Sequence, residues 1–168
     1  MWVFGYGSLM WDNWETTHGC LRQVVARLPG FRRTFNKASV KNWGTTDNPC
    51  PTLNLTTEPS ASCDGVAFEF PEEKRREILD YLEQREGKDF EPKQQEIRLE
   101  NGDLVTALVA IYSGKNLLSG RSVAELVTMA SAAEGNCGSC IDYVKNIAAK
   151  LSELEIHDPA VDEFELAL

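Results

Sequence analysis

Apolar and polar positions alternate through most of the first two thirds of the chain, and then the period lengthens. Residues 2–6 are a short apolar and aromatic run ending in Gly-Tyr-Gly-Ser, the pattern of a buried strand feeding a tight loop. Residues 23–28 and 31–39 read as two strands around a turn at Pro29-Gly30. Residues 52–56 and 66–70 alternate apolar with small or polar side chains, as half-buried strands do. Pro71-Glu72-Glu73 opens a helix, because proline fits a first turn and acids fit the positive end of the helix dipole. Ile78, Leu79 and Leu82 form its apolar stripe, and Gly87 marks its end. Residues 94–99 and 104–112 flank Asn101-Gly102-Asp103, a strong hairpin signal. Beyond Gly114 the spacing is helical. Val123, Leu126, Val127 and Ala130 share one face, and Ile141, Val144, Ile147, Ala148 and Leu151 share another.

Strands, one helix, a hairpin and then helices describe an α+β fold. The expected architecture is a mostly antiparallel sheet or small β-barrel with flanking helices. The 168 residues carry no repeat, low-complexity tract or long polar linker, so a single domain over residues 1–168 is expected.

Composition and charge narrow the partners. The chain is 42% hydrophobic and 26% charged, within the ordinary globular range. No apolar run approaches the ~18–20 residues of a transmembrane helix. The opening MWVFGYGSLMW lacks the basic segment of a secretory signal. A net charge of −9 repels phosphate backbones and anionic membranes, and Arg32-Arg33 with Lys37 and Lys41 is only a local basic cluster. Neither nucleic acid nor membrane is expected as a partner. A cytoplasmic location with five reduced cysteines is the simplest reading. Cys137-Gly138-Ser139-Cys140 has the spacing of redox and zinc motifs, but no second ligand pair follows and no thioredoxin-like βαβ pattern precedes it. Two buried or capping thiols are expected there, with a regulatory disulfide as the alternative. No metal and no cofactor is expected, and oligomeric state leaves no mark in the sequence.

Two features carry candidate chemistry. In Gly5-Tyr6-Gly7-Ser8-Leu9, glycines on either side of a tyrosine allow close backbone approach to a ligand and can turn N–H groups toward a carboxylate or phosphate. The spacing matches neither a dinucleotide nor a P-loop fingerprint, and on residues alone a plain turn explains it as well. Glu86 lies four residues after Leu82 and eight after Ile78, which puts it on the apolar stripe of its helix. It also falls at the negative end of the helix dipole, where a carboxylate is disfavoured. A solvated glutamate paired with Arg85 or Lys88 is the alternative on residue type alone. Glu77 belongs to a charged helix face.

Taken together, VFGYGSLMW at the N-terminus resembles the opening signature of the ChaC-type γ-glutamylcyclotransferases. Phe31-Arg32-Arg33-Thr34-Phe35 resembles the family's Arg-Arg-x-Phe strand. Gly65-Val66-Ala67-Phe68 is similar to its Gly-Val-Ala-Tyr/Phe strand, and Tyr81-Leu82-Glu83-Gln84-Arg85-Glu86 to the segment that carries its catalytic glutamate. Asp142-Tyr143-Val144 is similar to a late aromatic position.

The resemblance implies release of 5-oxoproline from a small γ-glutamyl substrate, glutathione being the expected one. The substrate's α-amine attacks its own γ-carbonyl, so proximity is built into the substrate and no Ser or Cys nucleophile is needed. One carboxyl group can serve as base and acid, and backbone donors can hold the oxyanion and the α-carboxylate. The implied catalytic residue is Glu86, and the implied substrate-binding residues are Val3, Phe4, Gly5, Tyr6, Gly7, Ser8, Leu9 and Tyr143. A non-catalytic binding protein and a thiol-redox or metal protein using Cys137 and Cys140 are the competing classes.

The chain departs from the family pattern in two places. Gly87-Lys88-Asp89-Phe90 stands where Lys-Gly-Gly-Tyr is common, and residues 114–120 replace a tyrosine- and proline-rich stretch. The resemblance therefore speaks more for the γ-glutamyl end of the substrate than for its leaving group.

Overall fold

The computed structural model describes residues 1–86 and 90–168, with Phe90 and Glu91 described by backbone alone. The helix stop expected at Gly87, and the Gly87-Lys88-Asp89 stretch that departs from the family pattern, lie outside the described residues. By packing, the chain divides into two compact units. The first comprises Met1–Arg32 and Thr57–Gly114, the second Arg33–Thr56 and Lys115–Leu168.

Among the described residues five strands close into a barrel in the order β1-β3-β2-β4-β5, with β5 returning to β1. They are β1 (Trp2–Gly5), β2 (Arg22–Ser39), β3 (Cys50–Glu69), β4 (Phe90–Leu99) and β5 (Leu104–Tyr112). The apolar strand β1 is inserted between β3, antiparallel with Phe4 opposite Ala67, and β5, parallel with Phe4 opposite Val109. Both of its edges are thereby paired, and its central residues Val3 and Phe4 are buried. The expected hairpin forms: β4 and β5 pair antiparallel from Phe90↔Tyr112 to Arg98↔Leu104. Its turn places Gly102 at φ 93°, and the Asp103 N–H donates to Asn101 Oδ1 at 3.1 Å.

Two expected breaks are absent. Residues 23–28 and 31–39 belong to one strand, β2, which passes straight through Pro29-Gly30. Gly30 at φ 79° absorbs a local distortion there without reversing the chain. Residues 52–56 and 66–70 likewise belong to the single strand β3. Its polar middle stays extended because cross-strand pairs on the exposed face hold it, Arg27 to Asp64 at 2.6 and 2.8 Å and Arg32 to Glu58 at 2.6 Å.

The helices α1 (Trp14–Thr17) and α2 (Arg75–Glu86) belong to the first unit. Ile78 and Leu82 of α2 are buried, as their spacing predicts. The second unit holds α3 (Val123–Ala132), a two-residue β6–β7 hairpin (Glu134–Gly135 and Gly138–Ser139), α4 (Cys140–Glu153) and α5 (Pro159–Ala167). α3 is started by a capping box between Ser122 and Glu125. The buried stripe of α4 is Cys140, Tyr143, Val144, Ile147 and Leu151; it shares Val144, Ile147 and Leu151 with the expected set, whereas Ile141 and Ala148 are only half-buried. α5 starts at Asp158, whose carboxylate accepts from the Ala160 and Val161 N–H groups at 3.1 and 3.3 Å. The same carboxylate pairs at 2.8 Å with Arg33, whose side chain is fully buried.

The expectation of five reduced thiols is overturned. Cys50 and Cys140, ninety residues apart, form a disulfide with Cα atoms 5.4 Å apart. Both are fully buried, so Cys140 is buried as expected, but its partner is the distant Cys50 and not Cys137. Cys137 is exposed in the β6–β7 turn, and like Cys20 and Cys63 it is in no disulfide. Among the described residues no helix is long and apolar enough to cross a membrane.

Candidate active site

The loop that leaves β1 is held from three directions within the first unit. Gly5 closes the strand, and a 3-10 turn over Ser8–Met10 follows, with the Met10 N–H donating to Gly7 O at 2.9 Å. Tyr6 is buried and its hydroxyl donates to the Ala110 carbonyl of β5 at 2.6 Å. The Trp14 indole of α1 donates to Leu9 O at 3.0 Å. Arg85 Nη2 of α2 donates to Ser8 Oγ at 2.9 Å. The N–H groups of Gly7, Ser8 and Leu9 donate to no acceptor among the described residues. Three successive free donors on a loop held this firmly can take up a carboxylate or an oxyanion.

Close backbone approach is built in behind the loop. A Cβ on Gly65 of β3 would lie 2.4 Å from the Gly5 carbonyl oxygen and 2.9 Å from the Phe4 ring. Glycine at this position lets β3 lie against the end of β1.

Glu86 is the last residue of α2, and its side chain is 16% exposed, whereas Glu83 and Gln84 are exposed. Glu86 Oε1 is 3.7 Å from Arg85 Nε. The Arg85 guanidinium also donates through Nη1 to the Tyr81 hydroxyl at 2.7 Å and, in a very short contact, to Asp12. Burial of this guanidinium works against its charge. Asp12, Tyr81 and Glu86 more than offset that and hold it above its ordinary pKa. Burial likewise pushes the Tyr81 phenol up, with Arg85 pulling the other way. The Tyr81 ring is stacked on Trp14 at 5.2 Å, which ties the partner of Arg85 to the residue that holds Leu9.

Sequence reasoning singled out Gly5 to Leu9 and Glu86, and the structure brings Ser8 and Glu86 to the same guanidinium. Arg85 itself, Asp12, Trp14 and Tyr81 carry no signal in spacing, because Ser8 and Arg85 are 77 positions apart in the chain. Tyr81 and Arg85 do stand in the Tyr81–Glu86 segment that resembles the family's. Val3 and Phe4 are core positions of β1. Glu77 lies on the exposed face of α2, where Lys74 and then His18 hold its carboxyl below the usual range. Tyr143 belongs to the second unit, buried on α4, with its hydroxyl accepting from the Leu53 N–H at 3.0 Å and its ring 5.3 Å from that of Trp43. Among the described residues no group of three or more His, Cys, Asp or Glu side chains is arranged to hold a metal ion.

Comparison with known proteins places this arrangement in context. The model of the ChaC-like proteins matches residues 1–167. The chain is 30% identical to γ-glutamylcyclotransferase 2-3 of Arabidopsis thaliana over 97% of its length and 85% of the plant protein. It is 30% identical to the glutathione-specific γ-glutamylcyclotransferase 1 of Danio rerio over its full length and 88% of the fish protein. The crystal structure of a yeast γ-glutamylcyclotransferase specific to glutathione superposes with a TM-score of 0.90 at 19% identity, covering 99% of this chain and 94% of the yeast one. With a model matched over 167 residues and relatives aligned nearly end to end, the chain belongs to the ChaC-like family.

Proposed function

We propose that this chain is a γ-glutamylcyclotransferase of glutathione catabolism, a lyase that converts glutathione to 5-oxoproline and Cys-Gly. The relatives from Danio rerio, Escherichia coli and Schizosaccharomyces pombe carry that specificity in their names, and the resemblance covers the loop and glutamate segments. The observation that carries the reading is the meeting of Ser8 and Glu86 at one guanidinium, which puts free backbone donors and a half-buried carboxyl group in one place.

The substrate α-carboxylate or the γ-carbonyl oxygen is taken up by the N–H groups of Gly7, Ser8 and Leu9, with Val3, Phe4 and Gly5 supplying the strand end that carries them. Glu86 accepts a proton from the α-ammonium, and the freed amine attacks the γ-carbonyl carbon. A C–N bond closes the five-membered ring and the bond to the cysteinyl nitrogen breaks. Glu86 returns its proton to that leaving nitrogen, then takes the second proton shed by the ring nitrogen and passes it to the released amine. The ring ends as a lactam N–H, Cys-Gly leaves as an ammonium, and no water and no cofactor are consumed. Tyr6 supports the loop through its bond to β5. Tyr143 is proposed as a substrate contact on the family resemblance alone.

We further read residues 1–168 as one domain, because each compact unit is assembled from two separated stretches and β2 and β3 run through both. A cytoplasmic location is part of the proposal, with full burial of Cys50 and Cys140 shielding their bond from thiol exchange. Neither nucleic acid nor membrane is proposed as a partner, given the net charge of −9.

The test is incubation of the purified protein with a panel of γ-glutamyl compounds, glutathione included, and chromatographic detection of 5-oxoproline. Release from glutathione without added metal or nucleotide is expected. An inert panel overturns the activity, and release only from other γ-glutamyl amides overturns the substrate.

A further inference from the structure

Arg85 has more partners than a surface arginine at a helix end requires. Its side chain is 17% exposed, and its three nitrogens reach three parts of the first unit. Nη2 holds Ser8 in the loop after β1, Nη1 holds Asp12 ahead of α1 together with Tyr81 in α2, and Nε faces Glu86. A lysine ammonium cannot reproduce this. It is a compact charge without the planar fork, and it cannot present fixed donors in three directions at once.

The bond to Ser8 also has a direction. Arg85 has no acceptor, so Ser8 Oγ must accept from it. The Ser8 hydroxyl hydrogen is thereby left to point at something other than Arg85, on a loop whose neighbouring N–H groups are also free. On the other side of the same guanidinium lies the group that the proposed mechanism uses to move protons.

We infer that Arg85 is the positioning residue of this site, fixing the donor loop at Ser8 relative to the carboxyl group of Glu86 through one guanidinium. The inference rests on the proposed γ-glutamylcyclotransferase reading. Arg85 touches no reacting atom in it. It sets the distance between the groups that hold the γ-glutamyl moiety and the group that transfers its proton. Misplacement of reacting groups by about 1 Å can cost on the order of 10²-fold in rate. Asp12 and Tyr81 serve this clamp by fixing the guanidinium itself, and the Trp14–Tyr81 stack carries the same constraint to Leu9.

The test uses the full chain as wild type, Arg85→Lys, Arg85→Ala and Ser8→Ala, with 5-oxoproline release from glutathione and amide hydrogen exchange as two separate readouts. Arg85→Lys should stay folded, with a Tm close to wild type, yet lose roughly 10–100-fold in kcat. KM should rise less than kcat falls. Millimolar guanidinium should restore part of the Arg85→Ala rate and none of the Arg85→Lys rate, because the ammonium occupies the site. Exchange at Met10 and Trp11, whose N–H groups donate to Gly7 O and Ser8 O, should accelerate in both Arg85 variants and in Ser8→Ala, whether or not the protein turns over. An inert wild type overturns the γ-glutamylcyclotransferase reading, and the clamp is then decided by hydrogen exchange alone. A folded Arg85→Lys with near-normal kcat, or unchanged exchange at Met10 and Trp11, overturns the inference while leaving the activity intact.

Discussion

Removing the Cys50–Cys140 bond should be the most costly two-atom change available in the second unit. The perturbation is Cys50→Ala with Cys140→Ala, and separately reduction of the wild type by a phosphine. The bond closes a loop of 90 residues in the unfolded chain. Loop-closure entropy at that length corresponds to roughly 4.6 kcal/mol, and native disulfides typically deliver about 2–5 kcal/mol. Spread over the unfolding entropy of a chain of this size, a loss of about 2–4.6 kcal/mol lowers Tm by roughly 6–13 °C. The assay is calorimetry of the oxidised, reduced and double-alanine forms, with thiols counted in denaturant. Three free thiols are expected before reduction, from Cys20, Cys63 and Cys137, and five after it. Because both bonded cysteines are fully buried, native protein should be reduced slowly and urea-treated protein quickly. Cys137→Ser should leave Tm within about 1 °C of wild type, as exposed substitutions usually do. Oxidised and reduced forms of equal Tm would refute the reasoning, and so would a peptide map joining Cys137 to Cys140.

Three further outcomes follow from the geometry. Glu86→Gln should keep substrate binding and lose about 10²–10⁴-fold in kcat, the usual contribution of general acid–base catalysis, while the exposed Glu83→Gln changes little; steady-state kinetics decides between them. Gly65→Ala should destabilise by about 1–3 kcal/mol in a urea titration, because the new methyl group falls 2.4 Å from the Gly5 carbonyl and must push β1 and β3 apart. Asp158→Ala should cost about 1–3 kcal/mol by removing the carboxylate that both pairs with the buried Arg33 and caps α5; an unchanged denaturation midpoint would refute this.

Local signals served well where local physics decides the structure. Asn101-Gly102-Asp103 makes its turn because the Asn side chain and a left-handed glycine act within five residues. Ile78 and Leu82 bury one face of α2 because helical spacing alone aligns them. Pro29-Gly30 misled for the opposite reason. Turn residues inside an 18-residue strand produce only a local distortion when the ladder continues on both sides. The polar middle of β3 reads as a loop, but exposed ion pairs such as Arg27–Asp64 keep it extended. Asp158-Pro159 did carry a legible helix start, a capping carboxylate followed by proline in the first turn, and the acidic character of the tail obscured it. Cys137 and Cys140 attracted attention by their spacing, yet the bond runs to Cys50, and a partner ninety residues away leaves no periodic trace. The same holds for the site. The glycines and Glu86 stand in short recognisable strings, while the contacts of Arg85 with Ser8 and Asp12 arise only when the barrel closes.

That closure has a kinetic side. β1 is hydrogen-bonded to residues 66–69 on one edge and to residues 107–109, in parallel, on the other. During synthesis the segment that bears the donor loop leaves the ribosome ahead of its parallel partner, which is more than a hundred residues behind it. At about 5–20 residues per second, β1 waits on the order of 5–20 s before the partner of that edge is made. A short apolar strand exposed for that long is a hazard for association, and pairings of such high sequence separation form late and slowly. Refolding followed by pulsed hydrogen exchange should therefore protect the β4–β5 hairpin first and residues 2–5 last, and proton-transfer chemistry should reappear only with that final protection.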